Sequence, residues 1–395
     1  MFRLPTSLEQ LSWDTTLVDE SMVTDIYSAA TGTYPDDESK ATLPDGIRTN
    51  VNISGTNYRT IGLLKNLSGN GVEGRDQQLT KEEDQSVREF QVWSNDFSHA
   101  VNTETYGKDA DLKSGYKILG HVQPQLSTWH QEREGRYIRE SMLERYSSNL
   151  VKAASSRTKR WNENIYIKGV ALASQPAYNV TPATYENLIG VALNTTTSAD
   201  TWDQTYLRTL NYWITAVKKL QPMANGRYIV TVPSGQAVAL KAIAATQDGV
   251  FDGFMPSMLK GMHEDAKAQY LGSFGKMDLY DDPRSPVVKL TGSAPNWVIT
   301  AYYKDAGDTD DRDGLSGDLF DVGTVHGRGS FCMGEHEKTH FEEEVQNYRK
   351  IVGVGAFRGA GFQRLTFDNV GSETTATNIN QNSASLFARQ NVLTA

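Results

Sequence analysis

Cysteine is almost missing from this chain. Cys332 stands alone among 395 residues, so no intrachain disulfide can form and a disulfide-stapled secreted design is excluded. Nowhere do about 18 apolar residues follow one another, so no membrane-spanning helix is expected. The opening Met1-Phe2-Arg3-Leu4-Pro5 lacks the apolar run of a secretory signal. Internal repeats, a P-loop and a G-x-S-x-G elbow are also lacking. A cytosol-like compartment fits these absences. Basic residues are the minority, 39 against 48 acidic ones, for a net charge of -9. A chain of that sign does not hold nucleic acid by neutralising phosphates.

What remains is enough for a sizeable core: 38% apolar and 22% charged residues, spread over a length that suits two or three domains or one elongated, lobed subunit. Residues 1–50 are polar and read as an arm that packs on something else, or as a terminus without order. Tyr58 to Leu64 reads as a strand, and Ser86 to Val101 as a second, carrying Val87, Phe90, Val92, Trp93 and Phe97. The roughly twenty polar and glycine-rich residues between them cannot build a core of their own. A long two-stranded arm lying on a neighbour resolves that difficulty, because an isolated hairpin is marginal in water.

Residues 117–156 read as one long helix. Ile118, Val122, Leu126 and Trp129, then Ile138, Met142, Tyr146 and Leu150, keep helical spacing, and Pro124 suits its first turn. Glu132, Arg133, Glu134, Arg136, Arg139, Glu140, Glu144 and Arg145 give it a charged solvent or interface face. Residues 160–200 read as short strands and loops, punctuated by Pro176 and Pro182. Trp202 to Leu220 is an amphipathic helix, Arg227 to Val232 a buried strand, and Gln236 to Thr246 a helix. Further strands are expected at Trp297 to Tyr303, Ile351 to Val354 and Gly361 to Phe367. Between them lies an acidic loop at 305–321, and the last 25 residues form a polar tail without core-forming content. The alternation is that of an α+β protein.

Three motifs bear on chemistry. His336-Glu337-Lys338-Thr339-His340 matches H-E-x-x-H, which on a helix would put both imidazoles on one face to bind zinc, with Glu337 as base. Its surroundings, Glu335, Lys338 and Glu342-Glu343-Glu344, are those of a solvated segment, and no Met-turn follows. Gly353-Val354-Gly355-Ala356-Phe357-Arg358-Gly359 misses the dinucleotide spacing by one residue. Asp308, Asp310, Asp311 and Asp313 before Gly314 fail the EF-hand register, with Phe320 where the closing glutamate belongs; a looser calcium site and a plain acidic loop both stay open.

The segment Leu64-Lys65-Asn66-Leu67-Ser68-Gly69-Asn70-Gly71-Val72-Glu73-Gly74, with Leu79 and Glu82-Glu83 after it, resembles the major capsid proteins of podoviruses related to coliphage N-four. His99-Ala100-Val101, Trp129, Tyr228 to Ser234, and Glu342 to Glu344 with Tyr348 and Ala356 to Phe367 are similar to later landmarks of that family. The likeness runs over about residues 55–370 and is loose at 255–330. It implies the α+β Hong Kong 97-type phage capsid fold. The divisions would be an N-terminal arm at 1–56, an extended β-hairpin loop at 57–101, and a peripheral domain at 102–232 with its spine helix at 117–156. An axial domain at 233–330, return strands at 331–370 and a C-terminal tail at 371–395 complete it.

The implied function is structural. Copies would form hexamers and pentamers and close an icosahedral shell around double-stranded phage DNA, with no catalysis, cofactor or resident metal. The acidic balance would suit a surface lying beside packed DNA without sequence-specific contacts. The partners would be further copies of itself, a portal protein, and decoration or scaffold proteins, with no membrane; the place would be the virion, assembled in the host bacterial cytoplasm. Lys65, Val72, Glu73, Arg75, Leu79, Glu82 and Glu83 in the loop, and Arg133, Arg136 and Arg139 in the helix, are the candidates for contacts between subunits. Ion pairs from the arginines to Glu82 or Glu83 are the specific expectation. A covalent link from Lys65 or Lys81 to an asparagine suits such a fold, although no residue stands out as the acid to promote it. The competing expectations are a zinc metallopeptidase using His336, Glu337 and His340, and a nanocompartment shell of the same fold.

Overall fold

The computed structural model describes residues 27, 31–33, 46–64, 87–102, 118–144, 147–151, 161–178, 181–246, 269–303, 315–346, 351–366 and 382–390. Two sheets organise them. The first has five strands in the order β1 (Thr31–Thr33), β2 (Arg48–Asn52), β13 (Phe331–Gln346), β14 (Ile351–Arg364) and β5 (Asn95–Asn102). A separate hairpin joins β3 (Tyr58–Leu64) to β4 (Val87–Trp93). Eight strands form the second sheet. Its main path is β11 (Asn296–Tyr302), β10 (Val287–Ser293), β12 (Asp318–His326), β7 (Tyr228–Pro233), β9 (Met277–Asp282) and β8 (Tyr270–Phe274). Along β12 also runs β15 (Ser383–Arg389), which pairs in parallel with β6 (Ile165–Ile167).

The run expected as one strand from Ser86 to Val101 is two strands serving two sheets. It breaks at buried Ser94, whose N–H donates to the carbonyl of Asn57, 3.0 Å away. Before the break the chain pairs with β3, and after it with β14. The root of the hairpin is anchored: Ile61, Phe90 and Val92 pack with Val51, Ile53, Cys332 and Leu365. Gly334 permits this approach, since a Cβ there would stand 2.8 Å from Val92 Cγ1 and 2.7 Å from Ile53 Cδ1.

Helix α1 (Ile118–Glu144) lies against the five-stranded sheet. Its 27 residues make a rod of about 40 Å. Val122 and Leu126 meet Phe341, Val354 and Ala356; Tyr137, Ile138 and Met142 meet Phe97, Met333 and Phe362. It is shorter than the expected 117–156, and Pro124 lies inside it rather than in its first turn. The chain turns because Glu140 Oε2 accepts the N–H of Ser148 at 2.7 Å and Ser147 N–H donates to Phe362 of β14. A single turn, Ser148–Val151, follows.

The eight-stranded sheet is covered on both faces. One face receives α3 (Gln204–Tyr212) and its π-helical continuation Trp213–Val217, together with α4 (Ser234–Thr246). Asp203 caps α3 by accepting the N–H of Tyr206 at 2.6 Å. The other face receives α2 (Pro182–Asn194), where Tyr185, Ile189 and Leu193 pack on Leu290, Ile299, Phe320 and Phe387. Residues 160–200 read as strands and loops; the structure corrects this, because Pro182 opens a helix at a position where its missing N–H costs nothing.

The C-terminal expectation is corrected most sharply. Ser383–Arg389 sits inside the eight-stranded sheet, buried as far as Ala388, with Leu386 and Ala384 on one face and Phe387 on the other. The sheet thus draws strands from 165–167, 228–233 and 383–389 as well as from the 233–330 stretch. The acidic loop at 305–321 is likewise shorter than expected, since Asp318 already opens β12.

Candidate assembly surface

The hairpin presents one face to the subunit and leaves the other outward, with Thr60 and Gln91 exposed and Tyr58 stacked on Trp93 at 4.7 Å. It leads away at Leu64 and Val87. Lys65, Val72, Glu73, Arg75, Leu79, Lys81, Glu82 and Glu83 all lie beyond these points, outside the described residues.

The three helix arginines have distinct surroundings. Arg133 stands over the Trp129 ring at 5.5 Å, and Trp129 stacks in turn on exposed His99 at 4.8 Å. Arg136 pairs with Glu140 at 2.8 Å and lies 5.5 Å over the ring of Tyr303. Arg139 is 4% exposed and grips Asp282, at the end of β9, through two hydrogen bonds of 2.9 and 2.7 Å. The charged face expected for this helix is therefore corrected: Glu134, Arg139 and Glu140 are buried and paired within the subunit.

Two further arginines whose partners the sequence reading missed are also buried. Arg358 of β14 joins Glu134 of α1 and, at 3.2 Å, Glu335 of β13. Burial pushes the Arg358 guanidinium down to about 9, with the positive charge of Arg48 adding to the effect, and burial raises Glu335 despite Arg48. Arg364 is fully buried, bound to Glu163 at 2.8 Å and to the carbonyl of Met142 at 3.0 Å. The available signal was a pair of arginines in an otherwise glycine-rich and apolar stretch, where a charge must find a partner.

The H-E-x-x-H segment lies on β13, which is extended, so the zinc-peptidase expectation fails. Four residues along a strand advance about 13 Å, against about 6 Å for four along a helix. Each histidine has its own neighbours: His336 Nε2 is 2.8 Å from Asp96, while His340 lies 3.7 Å from Glu337, 3.6 Å from Glu342, and stacks on Phe357. Gly353 to Gly359 is the interior of β14, a strand that runs on to Arg364 where the fingerprint needs a turn into a helix, so the dinucleotide reading also fails. Asp308, Asp310, Asp311 and Asp313 fall outside the described residues.

Two buried histidines carry a pH prediction. Burial takes His326 down to about 3, opposed by Asp282, and takes His130 down to about 4, opposed by the Ala356 backbone. Both are neutral in the folded subunit and bind protons more readily once unfolded. Stability is therefore expected to fall as pH drops below about 6.5, with each histidine adding up to about 1.4 kcal/mol per unit, until about pH 4 for His130 and about pH 3 for His326. Urea unfolding between pH 7 and 4.5 measures this. A slope unchanged in His130→Phe would refute the assignment for that residue.

No protein-family model matches the chain, and no curated protein does. Solved structures do. The capsid of Ralstonia phage GP4 superposes with a TM-score of 0.57 at 14% identity, over 92% of this chain and 90% of that one. The head of Helicobacter pylori bacteriophage KHP40 gives 0.58 at 12% identity, over 93% and 91%. The capsid of cyanophage Pam1 gives 0.54 at 12% identity, over 92% and 89%. With the hairpin, the long helix and the two sheets in place, the chain has the Hong Kong 97-type phage capsid fold. No helix among the described residues is long and apolar enough to cross a membrane.

Proposed function

We propose that this chain is the major capsid protein of a tailed bacteriophage, a subunit that builds an icosahedral shell rather than an enzyme. The observation that carries this reading is the near end-to-end likeness: about nine-tenths of this chain matches about nine-tenths of each of three phage head or capsid subunits. A subunit held to its neighbours by many modest contacts gains its shell stability through multivalency. Under this reading the β3–β4 hairpin is the root of the extended loop. Helix α1 with the five-stranded sheet is the peripheral domain, and the eight-stranded sheet with α3 and α4 belongs to the axial domain.

The finer parts of the proposal follow from this assignment. Hexamers and pentamers of this chain meet through the loop candidates Val72, Glu73, Arg75 and Leu79 and through Arg133. The shell takes a portal protein, and decoration or scaffold proteins, as partners. It encloses double-stranded DNA without base-specific contacts, in a virion assembled in the host bacterial cytoplasm. Kinship to the N-four-like podoviruses rests on the loop motif at 64–83.

Negative-stain electron microscopy across a salt series tests the proposal. Closed uniform shells or six-fold rings are expected. Deleting residues 66–84 should abolish them while leaving a folded subunit, because the hairpin root is anchored without the tip. A monomer under every condition would overturn the reading. Normal shells from the deletion would overturn the role given to the loop. Arg136→Glu is a poorer test, since it also breaks the pair with Glu140.

A further inference from the structure

The segment that fails as a zinc-peptidase helix places its first histidine in a different arrangement. Gly359 of β14 lies in one row between Asp96 of β5 and Glu337 of β13. Side chains on that row would ordinarily be separated by the middle residue. Here the register shifts between Glu335 and Glu337, so His336 is the extra residue of a bulge. Its ring fills the space over Gly359: a Cβ on that glycine would sit 2.3 Å from Nε2 and 2.2 Å from Cε1. The bulge and the glycine together bring one imidazole and one carboxylate of β13 and a second carboxylate of β5 close to a single point.

We propose that Asp96, His336 and Glu337 form a surface site for a divalent transition-metal ion of the zinc or nickel type. One donor atom from each lies within 4.8 Å of the others. A tetrahedral ion with bonds of about 2.1 Å needs donors about 3.4 Å apart, so the 2.8 Å His336–Asp96 pair opens slightly and any wider donor pair closes, adjustments that exposed carboxylates make by rotating about χ1 and χ2. The donor set, one imidazole with two carboxylate oxygens, suits zinc, nickel or cobalt better than magnesium or calcium, which take oxygen alone. Two carboxylates converging on one imidazole also leave an excess of negative charge that a dication offsets.

The ring is oriented from behind. His336 Nδ1 is 2.9 Å from the hydroxyl of Ser94, a residue 1% exposed, which leaves Nε2 directed at Asp96. That is how a metal-binding histidine is usually held, by a hydrogen bond at its other nitrogen. The sequence motif thus contributes His336 and Glu337 but not His340. That residue lies on the far side of a second register shift, between Glu337 and His340.

The test is calorimetric titration of the chelator-treated full chain with zinc chloride and, separately, nickel chloride. One ion per subunit is expected. His336→Ala and Asp96→Asn should each weaken binding at least tenfold, Ser94→Ala about tenfold by loosening the ring, and His340→Ala not at all. Thermal unfolding of each variant without metal confirms that the fold persists. Absence of saturable binding would overturn the proposal. So would affinity retained in both His336→Ala and Asp96→Asn, which would put the ion elsewhere on the acidic surface.

Discussion

A chain cut after residue 381 should yield no soluble subunit. The segment removed holds β15, which pairs at seven positions with β12 and at three with β6. Its loss strips one whole edge from β12 and leaves β6 without a strand partner among the described residues. It also removes the carbonyl of Arg389 that accepts from Gln236 Nε2 at 2.9 Å, and Asn382, whose side chain accepts from Gln221 N–H and donates to the Arg328 carbonyl. Leu386 and Phe387 are fully buried on opposite faces of the sheet. Losing either side chain alone costs about 2–5 kcal/mol, and a domain is stable by only about 5–15 kcal/mol. Deleting both along with the ladder exceeds that margin. Phe387→Ala is the milder companion: it should fold and melt cooperatively but at reduced urea concentration. A truncated chain that stays soluble and melts like the full one would show that β12 can close its edge without β15.

This same strand marks where the sequence was least legible. Ser383-Ala384-Ser385-Leu386-Phe387-Ala388 is short, small-residued and set in a polar stretch, so neither alternation nor a long apolar run announces it. Its burial comes from strands distant in sequence that supply both of its neighbours, which no local pattern reveals. By contrast Tyr228–Pro233 was legible as a largely apolar run buried at every position, and the amphipathic α3 because its apolar spacing matches the face it buries with Tyr206, Leu207 and Leu210. Helix α1 was half legible. Its apolar positions gave the element, but its charged residues looked like a solvent face. Burial of Glu134 and Arg139 depends on Arg358 and Asp282, whose partnership exists only in the folded chain. H-E-x-x-H misled for a related reason: the motif has meaning on a helix, and the long antiparallel pairing of β13 with β14 overrides it.

Arg139 and Asp282 should behave as a tightly coupled buried pair. The guanidinium also lies 5.5 Å over the ring of Tyr27, and Asp282 accepts the N–H of Arg284 at 3.1 Å, so both groups are fixed from a second side. Two bonds in a forked geometry, each side chain no more than 4% exposed, join the helix lying on the five-stranded sheet to a strand of the eight-stranded one. Removing one partner strands the other charge away from water. Arg139→Met should therefore lower subunit stability by about 3–5 kcal/mol, and Asp282→Asn by a comparable amount. The double variant should be far less destabilised than the sum of the two, because no unpaired charge remains. Urea unfolding of the unassembled subunit gives all four corners of the cycle. Near-additive, small losses would mean that water reaches the pair. Arg139 would then return to the set of interface candidates with Arg133, where a change shows in assembly rather than in stability. A large coupling keeps Arg139 inside the subunit, as the joint that sets one sheet against the other.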